Sequence, residues 1–132
     1  MKTLKGFISI AAITIALAIA ASAQTVLTKL DGTRVDVEAQ DGKIVVLAIG
    51  ASWLPLSNKQ AEFSNALAKK YAGKNVVFYF VVTDSTNARS KNYASNEAVQ
   101  QFATDKKLSM TVLRDSDGVL VTKNFKIEQV PS

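Results

Sequence analysis

Two residue types are missing from this chain altogether: it contains no cysteine and no histidine. Without cysteine there are no disulfides, so stability must come from packing, and thiol chemistry is excluded. Without histidine the commonest general base is gone, and the double absence removes the usual zinc ligands as well. No glycine-rich phosphate loop and no clustered carboxylate pair stands in their place. Internal repeats, linkers and low-complexity stretches are lacking too, which points to one domain. The formal net charge is only +5. Pairs such as Lys69-Lys70 and Lys106-Lys107 read as solvated helix faces and not as a nucleic-acid patch. No cofactor, metal or nucleic-acid partner is expected.

What is present begins with an address. Lys2 and Lys5 precede an apolar run of fifteen residues, Phe7 to Ala21, and Ala21-Ser22-Ala23 follows. This layout predicts a secretory signal peptide over residues 1–23, cleaved before Gln24. The competing reading is an uncleaved anchor, but the run falls short of the roughly 20 residues a spanning helix needs. With no cysteine after the run, lipid attachment is excluded. Removing 23 of the 132 residues leaves 109, enough for a domain that buries roughly two thirds of its unfolded surface. Two of the sixteen basic residues and none of the eleven acidic ones lie in the leader, so the expected mature charge is +3. The expected product is periplasmic or extracellular and free of the membrane.

In the mature region, Val26–Leu30 and Thr33–Val37 flank Asp31-Gly32. This is a hairpin signal, since both central turn positions can take positive φ. Ile44 to Ile49 and Val76 to Val82 are uninterrupted apolar runs rich in β-branched residues, as in strands buried on both faces of a parallel sheet. Between them a helix is predicted over about 58–71, with Phe63, Ala66, Leu67 and Tyr71 on its inner face and Gly73 at its end. Strand–helix–strand of this kind is a βαβ unit. Thr83 to Ala94 is polar and aperiodic, a loop at the end of a strand where open α/β sheets place their sites; as an ordinary connection it would simply be solvated. A second helix is predicted over 96–107, facing inward through Val99, Phe102 and Ala103. Met110–Leu113 is a short apolar run before the turn Asp115-Ser116-Asp117-Gly118. That turn lacks a calcium loop's carboxylate six positions beyond the glycine, where Asn124 stands, so it reads as a turn built on Asp and Gly.

The stretch KIVVLAIGASWLPLSNKQ, Lys43 to Gln60, joins the first apolar strand to the first helix. A helix N-terminus there offers free N–H groups and a positive dipole. Taken in order, the chain resembles the thioredoxin-like superfamily, in its exported TlpA/redoxin (AhpC/TSA-like) branch. Gly50-Ala51-Ser52-Trp53-Leu54-Pro55-Leu56-Ser57 lines up with the branch's W-A-[ST]-W-C-P-P-C element, and Asn58 to Phe63 with the helix start that follows. Val76 to Val82 with Asp84 resembles the V-V-F-x-x-V-x-x-D strand end. Val112-Leu113-Arg114-Asp115 and Asp117-Gly118 resemble V-L-x-D-x-D-G, and Val130-Pro131 the V-P whose proline is cis beside the active site. The resemblance implies a thioredoxin-like α/β fold: an N-terminal hairpin, a βαβ core and a second helix, with the sequence breaking off after the cis-proline position. The strand hairpin and closing helix that follow in the family would then be missing. The Ile44–Ile49 strand would lose a neighbour, which is an aggregation hazard.

The departures from the family bear on function. Its first cysteine is a nucleophile whose pKa the helix terminus lowers; here that position is Leu54, which has nothing to ionise. The second cysteine position is Ser57, and no histidine is available to activate its hydroxyl. Ser57 and Gln60 instead match a capping box. No catalytic residue is therefore expected, and the domain reads as a redox-inactive binding or scaffold module. The alternative is an oxidoreductase-family member by descent, present as a truncated or decayed copy. In the family the backbone beside the cis-proline pairs with an extended substrate segment. By that resemblance Trp53, Leu54, Pro55, Val130 and Pro131 are the expected binding residues for an extended peptide or protein partner. For Trp53 the plainer reading is an aromatic that packs the strand–turn junction.

Overall fold

A computed structural model describes residues 24–132, and the expected leader lies outside the described residues. The chain forms strands β1 (Val26–Lys29), β2 (Arg34–Asp36) and β3 (Ile44–Gly50), then helix α1 (Pro55–Lys70) and strand β4 (Val76–Val82). Helix α2 (Asn96–Asp105), strand β5 (Thr111–Arg114), a 3-10 turn (Ser116–Gly118) and helix α3 (Val119–Phe125) follow. The strands make one sheet in the order β2-β1-β5-β4-β3, with β3, β4 and β5 parallel and β1 antiparallel to both its neighbours. This is the thioredoxin-like arrangement implied by the resemblance.

The central strand explains the layering. Its sequence VVFYFVV does not alternate because both faces are covered. Tyr79 and Val81 face a core with Leu27, Ile49, Leu113 and Val121, over which α3 lies. Phe80 and Val82 face a second core with Ala61, Val99 and Phe102, contributed by α1 and α2. Phe80 and Phe102 pack with tilted rings, their centroids 5.8 Å apart, a geometry that adds about 1 kcal/mol to the burial itself.

Three expectations are corrected. Asp-Gly does make the hairpin, but of the pair only Gly32 takes positive φ (89°). Gly32 N–H donates to Lys29 C=O, and Lys29 N–H to Thr33 C=O, which is a type I turn closed by a glycine bulge. The Thr33 N–H also donates to the Asp31 carboxylate and holds its pKa below the usual value.

The second correction concerns β3. It is not buried on both faces along its length, since Ile44 is exposed; its place at the edge of the sheet among the described residues is the one the resemblance implied. Only its last three residues are buried. On that edge Ile49 exchanges both peptide hydrogen bonds with Ser132, at 2.7 and 2.8 Å, the hydrogen-bonded pair of an antiparallel ladder.

The third concerns α1. It begins at Pro55, and it buries Ser57, Ala61 and Ser64, while Phe63 is 65% exposed. Small side chains let the helix lie close to the sheet, and that packing outweighs the hydrophobicity of Phe63. Ala66 and Tyr71 are likewise exposed and Leu67 is half-buried. The helix stops at Tyr71, and Gly73, at φ 77°, completes the turn beyond it. By contrast α2 faces inward as its periodicity predicts, through Val99, Phe102 and Ala103, with Ser95 as N-cap accepting from Ala98 N–H.

These faces can be separated by mutation. Phe63→Ala is expected to change unfolding free energy by no more than about 0.5 kcal/mol. Ala61→Leu, which overfills the α1–sheet seam, is expected to cost about 1–3 kcal/mol. Equilibrium urea unfolding of both variants checks the assignment, and a large loss in Phe63→Ala would contradict it.

Candidate functional site

The site region lies where the parallel strands end. Beyond β3 the chain turns through Ala51, Ser52 and Trp53 into α1. Leu54 is the helix N-cap, in extended conformation, and Pro55 is the first helical residue. Proline suits that position because its φ is preset and its missing N–H would have no helical acceptor. Ser57 is consequently inside the first turn and is not the cap, which overturns the capping-box reading. Its hydroxyl is fully buried and accepts from the Ala51 N–H at 3.2 Å. Gln60 reaches back to the strand edge, its Nε2 donating to Ile49 C=O at 3.0 Å and Ser132 C=O at 2.9 Å. Both side chains crowd Gly50. A Cβ there would stand 2.5 Å from Gln60 Oε1 and 2.8 Å from Ser57 Oγ.

A second set of buried polar groups fixes the neighbouring loops. The Asp84 carboxylate, 2% exposed, accepts from both the backbone N–H and the hydroxyl of Ser52. Arg114, also buried, threads under the Thr83–Ala94 loop. It donates to Ala94 C=O at 2.7 Å, to Asn96 Oδ1 at 2.8 Å, and more weakly to the carbonyls of Asp84 and Ser85. The loop read from sequence as polar and aperiodic is therefore pinned at its base, where Ser85 pairs with Tyr93. Asp115 accepts from Leu120 N–H and Val121 N–H and so caps α3.

Between these loops lies a cleft of about 210 Å³. Trp53, 57% exposed, and Val130, 37% exposed, are among its walls, together with Thr83, Asn92, Asp117 and Glu128. Of the five residues expected to bind, Trp53 and Val130 thus meet in one cleft. Leu54 is half-buried at the helix start, Pro55 is exposed beside it, and Pro131, whose bond to Val130 is cis, is half-buried; none of the three lines the cleft. No hydrogen bond engages the backbone N–H or C=O of Val130 among the described residues. An unpaired peptide unit therefore sits at the cleft edge.

Two of the cleft's walls are not legible in the sequence: Asp117 reads as part of a turn only, and Glu128 carries no local signal. Only the placement of the 3-10 turn beside the 127–130 segment brings them together. Among the described residues no cluster of three acidic side chains forms a cation site, and no helix is long and apolar enough to cross a membrane. At the helix terminus the two positions that resemble the family's cysteines carry a half-buried leucine side chain and a buried serine hydroxyl.

The sequence profile of the Redoxin family matches residues 15–132. No curated protein sequence matches the chain. Among solved structures it is similar to a secreted Mycobacterium tuberculosis disulfide oxidoreductase homologous to E. coli DsbE. The two are 27% identical with a TM-score of 0.62, over 80% of this chain and 71% of the other. It is similar also to MTB dsbF, in mixed oxidized and reduced forms, at 28% identity and TM-score 0.64 over 82% and 72%. A thioredoxin-like protein from Aeropyrum pernix shares the fold at 19% identity, with a TM-score of 0.65 over 82% and 71%.

The tight joint at Gly50 gives a direct test. Gly50→Ala is expected to cost about 1–3 kcal/mol by overpacking, because Ser57 is short and buried and cannot swing away. Thermal or urea unfolding measures it; a neutral result would mean that α1 does not sit as close to β3 as described.

Proposed function

Since the chain belongs to the Redoxin family, we propose that it is a redoxin domain that has kept the family's scaffold for binding while losing its thiol chemistry. The observation that carries this reading is the helix terminus. Leu54 and Ser57 occupy the positions that resemble the two cysteine positions, and neither can form a thiolate or a disulfide. A serine nucleophile would need a base, and Ser57 is instead buried as the acceptor of a backbone N–H.

Binding draws on different groups. The free peptide unit of Val130 and the exposed face of Trp53 supply a main-chain edge and an apolar wall, the two components of strand-addition recognition. The binding residues are Trp53 and Val130, with Leu54, Pro55 and Pro131 shaping the ground beside them. The ligand is an extended peptide segment of another protein.

The site of action is outside the cytoplasm. The leader pattern of residues 1–23 supports this, and a related disulfide oxidoreductase is secreted. Expressed with its leader in a bacterial host, the protein is expected to appear in the periplasm or medium with Gln24 as its first residue. Terminal sequencing of the purified product decides the point, and an intact Met1 would argue for an anchored form.

The chain itself is expected not to accelerate insulin reduction over the dithiothreitol background in a turbidity assay. In the Leu54→Cys/Ser57→Cys double variant, reduction is expected to rise above background, because the helix terminus that would lower the first thiol's pKa is in place. Turnover by the unmodified chain would overturn the inert reading. A well-folded but inactive double variant would show that the scaffold no longer supports the reaction.

A further inference from the structure

The cleft beside Trp53 has a charge opposite to that of the chain around it. Two carboxylates, Asp117 and Glu128, line it, and no lysine or arginine does. Over the whole sequence basic residues outnumber acidic ones, sixteen to eleven. Neither carboxylate is neutralised by a partner. Asp117 Oδ2 accepts only from the hydroxyls of Ser85 and Ser116, both at 3.3 Å, and Asp117 Oδ1 and the Glu128 carboxylate have no hydrogen-bond partner among the described residues. Against the same cleft stands Trp53, more than half exposed, with a ring face that attracts a cation. The remaining walls include Ile49, Val121 and Ile127, which suit a methylene stem.

We infer that the cleft is a specificity pocket for a basic side chain, lysine or arginine, of the extended segment bound at Val130. The inference rests on the peptide-binding reading above and adds the chemistry of the residue that the pocket selects. The apolar walls take the stem of the side chain. The ammonium or guanidinium group lies between the Trp53 ring and the two carboxylates. The free N–H and C=O of Val130 hold the main chain from which that side chain projects. A neutral side chain of equal length keeps only the stem contact, and an acidic one meets like charge.

The test uses acetylated, amidated peptides of threonine and glycine that differ at one central residue: lysine, arginine, norleucine or glutamate. Each is titrated into the isotope-labelled full chain at low ionic strength, with amide shifts as the readout of both affinity and location. The lysine and arginine peptides are expected to bind roughly fivefold tighter than the norleucine peptide, the glutamate peptide weakest, with shifts at Trp53, Asp117 and Val130. The preference is expected to shrink as salt is raised.

Asp117→Asn/Glu128→Gln is expected to abolish the preference, so that the lysine, arginine and norleucine peptides bind alike. Asparagine tolerates the positive φ of position 117, 60°, at least as well as aspartate does. Glu128→Lys, at an exposed position, is expected to turn the preference toward glutamate. Equal binding of all four peptides would overturn the pocket assignment and leave the groove reading standing. Binding of none would remove both. A lysine preference that survives in the double variant would also overturn it.

Discussion

Three parallel strands end together inside this protein, and their peptide groups must leave the sheet without losing their hydrogen bonds. Much of the rest of the structure follows from that constraint. Thr83 N–H donates to Gly50 C=O, Asp115 N–H to Val82 C=O, and Asp117 N–H to Thr83 C=O, so each departing segment is tied to its neighbour. Where backbone partners run out, buried side chains take over: Ser57 for Ala51, Asp84 for Ser52, Arg114 for the carbonyls of the 84–94 loop. Leaving any one of these groups unpaired would cost about 1–3 kcal/mol. The cleft is a by-product of the same closure, the space left between loops that are each held at their base.

Asp84 and Arg114 show how such a network holds charge without a direct ion pair. The carboxylate is solvated by Ser52 and the guanidinium by carbonyls and Asn96. Burying isolated charges is costly, and dipoles aimed at each one offset that cost. In return the loop from Thr83 to Ala94 has a fixed floor. A polar, aperiodic segment that reads as solvent-facing connection is in fact anchored by an arginine twenty residues beyond its end, measured from Ala94 to Arg114.

How much of this was legible in the sequence depends on whether the deciding signal was local. Val76–Val82 announced a strand covered on both sides, and Val99 with Phe102 and Ala103 announced the inner face of α2, because burial there follows hydrophobicity. The inner face of α1 was misread for the opposite reason. Close approach of helix to sheet selects small residues, Ser57, Ala61 and Ser64, and leaves Phe63 outside. The helix start was misread although its signal was present: Pro55 marks the first turn more firmly than the serine–glutamine spacing does. The edge position of β3 followed from the family resemblance and not from any local pattern, and the placing of Asp117 and Glu128 in one cleft is a matter of topology that no local pattern contains. The residues carried by the family resemblance include two walls of the cleft, Trp53 and Val130, but not Asp117 and Glu128.

The joint at Ser57 bears on why a redoxin scaffold can persist without thiols. In the resemblance, position 57 belongs to a cysteine, and a thiol is a weak acceptor for a backbone N–H. A hydroxyl is a better one and is smaller, so serine satisfies the buried Ala51 N–H and fits beside Gly50, where an added Cβ would stand 2.8 Å from its Oγ. At position 54 a half-buried leucine exchanges a reactive tip for apolar contact at the helix cap. Both replacements are therefore compatible with the strand–helix joint, and neither residue is itself a lining residue of the cleft, although both hydrogen-bond to Ala51 at its edge. The thiol chemistry implied by the resemblance needs two side chains at the helix terminus, whereas the recognition proposed above draws on main-chain groups and the surrounding loops, so loss of the first does not by itself remove the groups on which the second rests.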